Sequence, residues 1–336
     1  MTSTGRIEIT KDRLVSDLKK IGVTKGDHLA VTLSFKSIGY VVGGPQTFID
    51  ALLEAVGSEG TIMVNTHTRS FSPCFISNDY IFDREKTAPV TGIVPRNIIM
   101  RSDSIRSAHP TYSVACIGKM ANYLITSHDE TANPYLPYEK LAKIGGKYLA
   151  IGIGNRLVAI RHEAQRRAGL FIVPVYRCVK FRDQEGNIKL HVKLKPPCNK
   201  KLPDLVPKLE AKGIIKRGDI GMAHSILASA DQLLYHMTVM LKENPTLNLC
   251  DDISCYLCRE LERRMNLYER IVNPKLFQKN ILIRTLLSWK NRLLLRQLNS
   301  FRPIKEPHMI RKFFQLIFVF LEKKLSETKN KKQNNR

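Results

Sequence analysis

The stretch HLAVTLSFKSIGYVVGGPQTFIDALLEAVGSEGTIMVNT, residues 28–66, decides how the rest of the chain is read. HLAVTL is an apolar run of strand length. The Gly43-Gly44-Pro45 turn then leads into TFIDALLEAVG, a helix with Pro45 and Thr47 near its start and Gly57 at its end, as capping requires. TIMVNT follows as a buried strand. Strand, loop, helix and strand therefore succeed one another within about 40 residues.

Outward from this unit the alternation continues. Upstream, Leu14, Leu18 and Ile21 recur at helical spacing, and Gly22, Gly26 and Asp27 end that pattern ahead of the first strand. Downstream, YSVACIG, KYLAIGIG and LFIVPVYRCV read as strands, and 119–128 and 228–242 as helices. The Lys- and Pro-rich segment 183–204 reads as an exposed hairpin or loop. Such alternation predicts a layered α/β domain. After Asn244 the chain turns basic and Leu-rich: helices over 250–298, a linker at Arg302–Pro307, and a last helix over 308–325. The predicted organisation is a domain at 1–245, a basic helical extension at 246–325 and a disordered tail at 326–336.

Charge narrows the partners. Of the net charge of +24, residues 1–250 contribute +12 and residues 251–336 the other +12. Such a field favours anionic lipid, nucleic acid or phosphorylated small molecules and opposes polycations. Nucleic acid ranks last, because no aromatic residues are interleaved with the basic ones as a stacking platform. In 276–301, Lys279, Arg284, Arg292 and Arg296 punctuate a Leu-rich pattern around Trp289. That pattern suits an anionic membrane surface, a partner's apolar groove, or a helical subdomain packed on the core. The apolar run 313–321 is too short to span a bilayer.

Seven scattered cysteines, an odd number, indicate a reducing compartment. With no signal-peptide pattern at the N-terminus, the expected location is cytoplasmic, with the tail able to hold the protein at the inner membrane face. Cys250-x4-Cys255-x2-Cys258 has a spacing found in some iron–sulfur proteins. No fourth cysteine follows, and Cys255 and Cys258 share one helical face, so the trio reads as packing and no metal is expected.

Five segments carry a resemblance: VTLSFKSIGYVVGGPQTFIDALLEAVGSEGTIMVNTHT (31–68), IRSAHPTYSVACIG (105–118), NPYLPYEKLAKIGGKYLAIGIG (133–154), RHEAQRRAG (161–169) and GDIGMAHSILASADQLL (218–234). In order and spacing they resemble the aminoglycoside 3-N-acetyltransferase family, over about residues 11–245. The resemblance implies an acetyl-CoA-dependent N-acetyltransferase with its own α/β fold, distinct from the GNAT acetyltransferases. It implies that CoA sits near the first loop and the Arg-Ser-x-His-Pro segment, and that the base is a histidine followed three positions later by glutamate.

Carried onto this chain, the resemblance marks Thr32, Ser34, Lys36, Ser37, Arg106, Ser107 and His109 as CoA-binding candidates and His162 as the base. Arg106 suits a phosphate and Ser107 a hydrogen bond. His109 is either a contact or a structural donor beside a turn. Gly152-Ile153-Gly154 lacks a third glycine and is assigned no cofactor role. Two positions depart from the family. Thr32-Leu33-Ser34 stands where His-Ser-Ser or His-Ala-Ser is usual, and Gln165 stands in place of the glutamate.

The chemistry can be stated independently of any family. An amine attacks a thioester only as the free base, so a nearby group must take its proton, and imidazole titrates in the right range. A second group should hold the imidazole in one tautomer and support the cation that forms. Either Gln165 or Glu163 supplies it. On a helix Gln165 shares a face with His162, whereas Glu163 points about 100° away. The alternative for His162 is an ordinary polar residue at a helix start. Arg156, Arg161, Arg166 and Arg167 surround it in sequence and favour an anionic acceptor, such as a nucleotide- or lipid-linked amino sugar of surface polysaccharide assembly. The other readings are antibiotic resistance through aminoglycoside 3-N-acetylation, and a CoA-binding scaffold that has lost catalysis.

Overall fold

The first quoted strand becomes β2 (His28–Leu33), the centre of a seven-stranded sheet. This computed structural model describes residues 7–71, 80–170, 173–195, 205–252, 255 and 258. The expected linker, final helix and tail all lie outside them. On one side β2 pairs in parallel with β4 (Thr61–Asn65), and on the other with β8 (Lys147–Ile151). Antiparallel strands complete both flanks. They are β7 (Val114–Gly118) and β6 (Ile105–Arg106) beyond β4, and β12 (Ala223–Ser229) and β11 (Lys216–Ile220) beyond β8.

Successive side chains of a strand point to opposite faces, and here both faces are apolar. Leu29, Val31, Ile62, Val64, Ala115, Ile117, Leu149 and Ile151 enter one core. Ala30, Met63, Val114, Cys116, Tyr148, Ala150 and Ile226 enter the other. A sheet of this kind needs helices on each side. The first core is covered by α1 (Lys11–Ile21), α2 (Gly44–Val56) and α3 (Ile93–Ile98). The second is covered by α4 (Ala121–Ile125), α5 (Leu136–Lys143), α6 (Ile160–Arg167), α7 (Leu205–Glu210) and α8 (Ala230–Glu243). Leu249, Cys250 and Cys258 belong to that second core, so its packing continues past residue 245.

Local chemistry sets the helix limits. Thr10 caps α1 by accepting from Arg13 N, and Gly22 ends it at φ 111°. Ser229 caps α8 in the same way through Gln232 N. α2 starts instead after a glycine, Gly43 at φ 76°, with proline in its first turn.

Two smaller sheets complete the fold. β1 (Glu8–Ile9) pairs with β3 (Tyr40–Val41). β9 (Val173–Arg182) lies between β5 (Ile81–Phe82) and β10 (Ile188–Lys195). The segment read as a hairpin or loop is therefore a hairpin over its first part. Asp183 builds the turn, with its carboxylate accepting from Glu185 N at 3.0 Å and Asn187 N at 2.8 Å. No helix among the described residues is long and apolar enough to cross a membrane.

Phe48, fully buried in α2, meets Phe35 edge to face at a centroid distance of 6.0 Å. Phe48→Ala is expected to cost about 3–5 kcal/mol in denaturant unfolding, because the aromatic volume is removed from a closed core.

Candidate active site at the carboxyl ends of the parallel strands

Three parallel strands end along one edge of the sheet. β2 runs into Ser34, β8 into Gly152 and β4 into Thr66. Crevices at the carboxyl ends of such strands are where α/β sheets take ligands. A cleft of about 710 Å³ opens there, lined by Ser34, Gly152, Ile153, Gly154, Asn155 and Arg156. Its wall is held by the 3-10 turn Phe35–Ile38. Ser34 N donates to Ile151 O at 2.9 Å, and Ser37 Oγ bridges Ser34 Oγ at 2.9 Å and Gly152 O at 3.2 Å. Gly152 has φ 63°, and a Cβ there would fall 2.4 Å from Ser37 Cβ, so only glycine fits.

The first-loop candidates thus separate. Ser34 lines the cleft, Ser37 braces it, and Lys36 is exposed on the same turn. Thr32 takes part in a polar network beneath. Asn65 Nδ2 approaches Thr32 Oγ1 at 3.5 Å, and Tyr138 OH donates to Asn65 Oδ1 at 2.9 Å. The Gly152-Ile153-Gly154 triplet, given no cofactor role from sequence, forms part of the cleft wall together with Asn155 and Arg156.

The loop after Arg156 leads into α6, which carries His162. The ring is only 3% exposed and lies 5.4 Å from the ring of Tyr135. Its Nδ1 meets Gln165 Oε1 at 2.6 Å. With that oxygen accepting, the proton sits on Nδ1 and Nε2 is left as the basic nitrogen. Nε2 has no hydrogen-bond partner among the described residues. Burial holds the imidazole well below its ordinary range, the neighbouring Arg161 adds to this, and the Gln165 bond opposes it. His162 is therefore neutral at neutral pH, as a proton acceptor must be.

Glu163 does not support it. The carboxylate is fully buried and accepts from Asn133 Nδ2 at 2.9 Å, from Arg166 through two bonds of 2.8 Å, and from Arg167 Nε at 3.1 Å. As the helical geometry implied, its carboxylate is engaged away from the imidazole, and of the two alternatives it is Gln165 that meets the ring. The same contacts revise the local electrostatics. Arg166 and Arg167 are paired with Glu163, Arg166 also lies 3.5 Å from Glu139, and Arg161 is 1% exposed. Of the four arginines near His162, Arg156 alone is fully open at the cleft.

Arg106, Ser107 and His109 are buried and hydrogen-bonded within the protein. Arg106 donates to Thr66 O, Thr66 Oγ1, Ser113 Oγ, Arg84 O and Thr87 O, and burial lowers its guanidinium to about 10. Those donors hold the 84–87 loop to the end of β4. Ser107 Oγ accepts from Val114 N at 3.0 Å and lies 2.9 Å from His128 Nδ1. His109 Nδ1 accepts from Thr111 N and Tyr112 N, so its proton is on Nε2.

Around His109 the fold assembles rings with no local sequence signature. His128 and His191 each lie 4.9 Å from it. Tyr112 stands 5.0 Å from His67 and 5.4 Å from Tyr135, which continues the series to His162. Burial lowers His128 and His191 to about 4 and His67 to about 3, and it holds His109 well below its usual range. Sequence reading missed these residues because they come from separate segments that only the tertiary fold unites.

Residues 30–242 match the family model described as aminoglycoside 3-N-acetyltransferase, and the chain belongs to that family. Aminoglycoside N(3)-acetyltransferase VIII of Streptomyces fradiae is 34% identical over 176 residues, which are 48% of this chain and 62% of that protein. The match thus spans under two thirds of that relative. Aminoglycoside N(3)-acetyltransferase VII of Streptomyces paromomycinus is 28% identical over 255 residues, covering 66% of this chain and 88% of its own length. The solved structure of AAC-VIa bound to sisomicin is 25% identical with a TM-score of 0.60, over 70% of this chain and 98% of that one.

Two outcomes follow from these placements. Arg106→Ala removes the donor of five hydrogen bonds and is expected to cost roughly 3 kcal/mol or more in denaturant unfolding, whether or not CoA is present. The depressed histidines stay neutral when folded, while the unfolded chain takes up protons below its ordinary 6.5. Their stabilisation is complete above pH 6.5 and is lost as pH falls towards about 4, by up to about 1.4 kcal/mol per pH unit for each proton in excess. Thermal melts from pH 7.5 to 4.5 should fall along this window.

Proposed function

We propose that the protein transfers an acetyl group from acetyl-CoA to an amine of an aminoglycoside. The observation that carries this is a neutral, buried His162, fixed in one tautomer by Gln165 and borne on the helix that follows the cleft-lining stretch 152–156 in sequence, though the ring itself is not among the residues lining the cleft. The cleft's volume lies in the range of ligand sites. Exposed Arg156 and Lys36 suit the phosphates of the donor, and Ser34 with the neighbouring loop N–H groups suits its polar arm.

In this reading the acceptor nitrogen attacks the thioester carbonyl. As its bond to carbon forms, its proton passes to His162 Nε2, and the C–S bond breaks to give the amide and the CoA thiolate, which takes that proton back from the imidazolium as the thiol. Gln165 keeps the ring oriented through Nδ1–H. It adds no negative charge, so the imidazolium that forms is stabilised less than beside a carboxylate.

The aminoglycoside acceptor rests on the family and on relatives whose names carry that substrate, together with a neighbour bound to sisomicin. The nucleotide- or lipid-linked acceptor expected from the arginines finds no support in these relatives. Its electrostatic basis is also reduced, because Arg161 is buried and Arg166 and Arg167 are matched by acids.

Incubation with acetyl-CoA and sisomicin should yield singly acetylated sisomicin by mass spectrometry, with free thiol released. Binding of acetyl-CoA without transfer to any aminoglycoside would instead indicate a scaffold. His162→Ala is expected to lower turnover by at least about a hundredfold. Gln165→Glu places a carboxylate on Nδ1 and raises the imidazole's pKa, so the acidic limb of the rate profile should move up by roughly one to three pH units.

A further inference from the structure

The three cysteines read from sequence as packing converge in space. Cys250 follows the turn Pro245–Asn248 after α8, and Cys255 and Cys258 come five and eight residues later. Cys250 and Cys258 are buried, Cys255 is partly exposed, and all three Sγ atoms lie within 4.8 Å of one another. Packing alone does not require this. A buried cysteine behaves as a small apolar side chain, and three of them satisfy a core equally well with their sulfurs apart.

One ion bonded to each sulfur at about 2.3 Å in a tetrahedral site sets sulfur–sulfur edges of about 3.8 Å, within an ångström of what the fold already presents. An iron–sulfur cluster needs four thiolates as a rule, and only three converge among the described residues, whereas a single tetrahedral ion can take three sulfurs with water in its fourth position. Thiolates select thiophilic ions, of which Zn²⁺ accepts a tetrahedral set without redox chemistry. A further contact favours a charged sulfur. Cys250 N donates to Cys258 Sγ at 3.3 Å, the kind of backbone bond that offsets thiolate charge around a metal.

We propose that Cys250, Cys255 and Cys258 form a Zn²⁺ site that fastens the segment after α8 to the core. Each thiol gives up a proton as its sulfur binds the ion, so the binding free energy becomes folding free energy of that segment. The site includes Leu249 and Cys250 among its buried anchors, at the point where the described domain gives way to the basic extension. It is separate from the cleft at Ser34 and Gly152.

The test uses untagged full-length protein purified under reducing conditions. Elemental analysis should find one zinc per chain. Chelation should lower the melting temperature, and added Zn²⁺ should restore it. Cobalt substitution should give a thiolate-to-cobalt charge-transfer band. Cys255→Ser, at the partly exposed ligand, should weaken zinc binding by more than about a hundredfold, beyond the loss of an outer-shell partner. Folded wild-type protein without zinc and without the cobalt band would overturn the site. So would a folded Cys255→Ser protein that keeps its zinc, or a disulfide within the trio in mass spectra of the reduced preparation. If the variant does not fold, the wild-type zinc and cobalt measurements decide.

Discussion

A sheet that is apolar on both faces has to be covered twice, and that requirement shapes the molecule. Val31 and Ala30, adjacent in sequence, belong to different cores, as do Ile62 and Met63. Neither helix layer can be removed without exposing one of them to water. The layers leave only the ends of the strands open. Where three neighbouring strands run in the same direction, their carboxyl ends come together, and Ser34 and Gly152 meet there because the sheet places them there. The cleft is a product of that covering.

An amide, and not a carboxylate, stands beside the histidine. A carboxylate on Nδ1 would both orient the ring and favour its charged form, whereas an amide only orients it. Burial and the nearby Arg161 already oppose the cation. The combination keeps His162 a free base over a wide pH range and makes it a weaker one. Readiness to accept a proton is gained at the expense of how firmly the proton is held.

Much of the scaffold was legible in the residues. Leu14, Leu18 and Ile21 fixed α1, and the glycines at 43 and 57 bounded α2, because spacing and caps are local properties. The spacing of Gln165 from His162 likewise foretold their hydrogen bond, since three residues on a helix share a face. The internal partners of Arg106 and Ser107 were not legible, for the opposite reason. Their partners, Thr66, Thr87, Val114 and His128, are distant in sequence, and nothing local distinguishes an arginine bound to carbonyls from one awaiting a phosphate. Equally, the ring series from His67 to His162 depends on long-range packing that no window of sequence contains.

Glu163 shows how close placement can separate two kinds of tolerance. It joins Asn133, Arg166 and Arg167 in one buried knot, so a change at 163 would be felt first as failed folding. Two residues on, the bond from Gln165 serves the imidazole, and an exchange of carboxylate for amide there leaves the knot intact. The two positions therefore differ in what a substitution would disturb. The neighbour that looks most like a catalytic acid is held by the architecture, while the residue bonded to the ring sets its basicity from outside that knot.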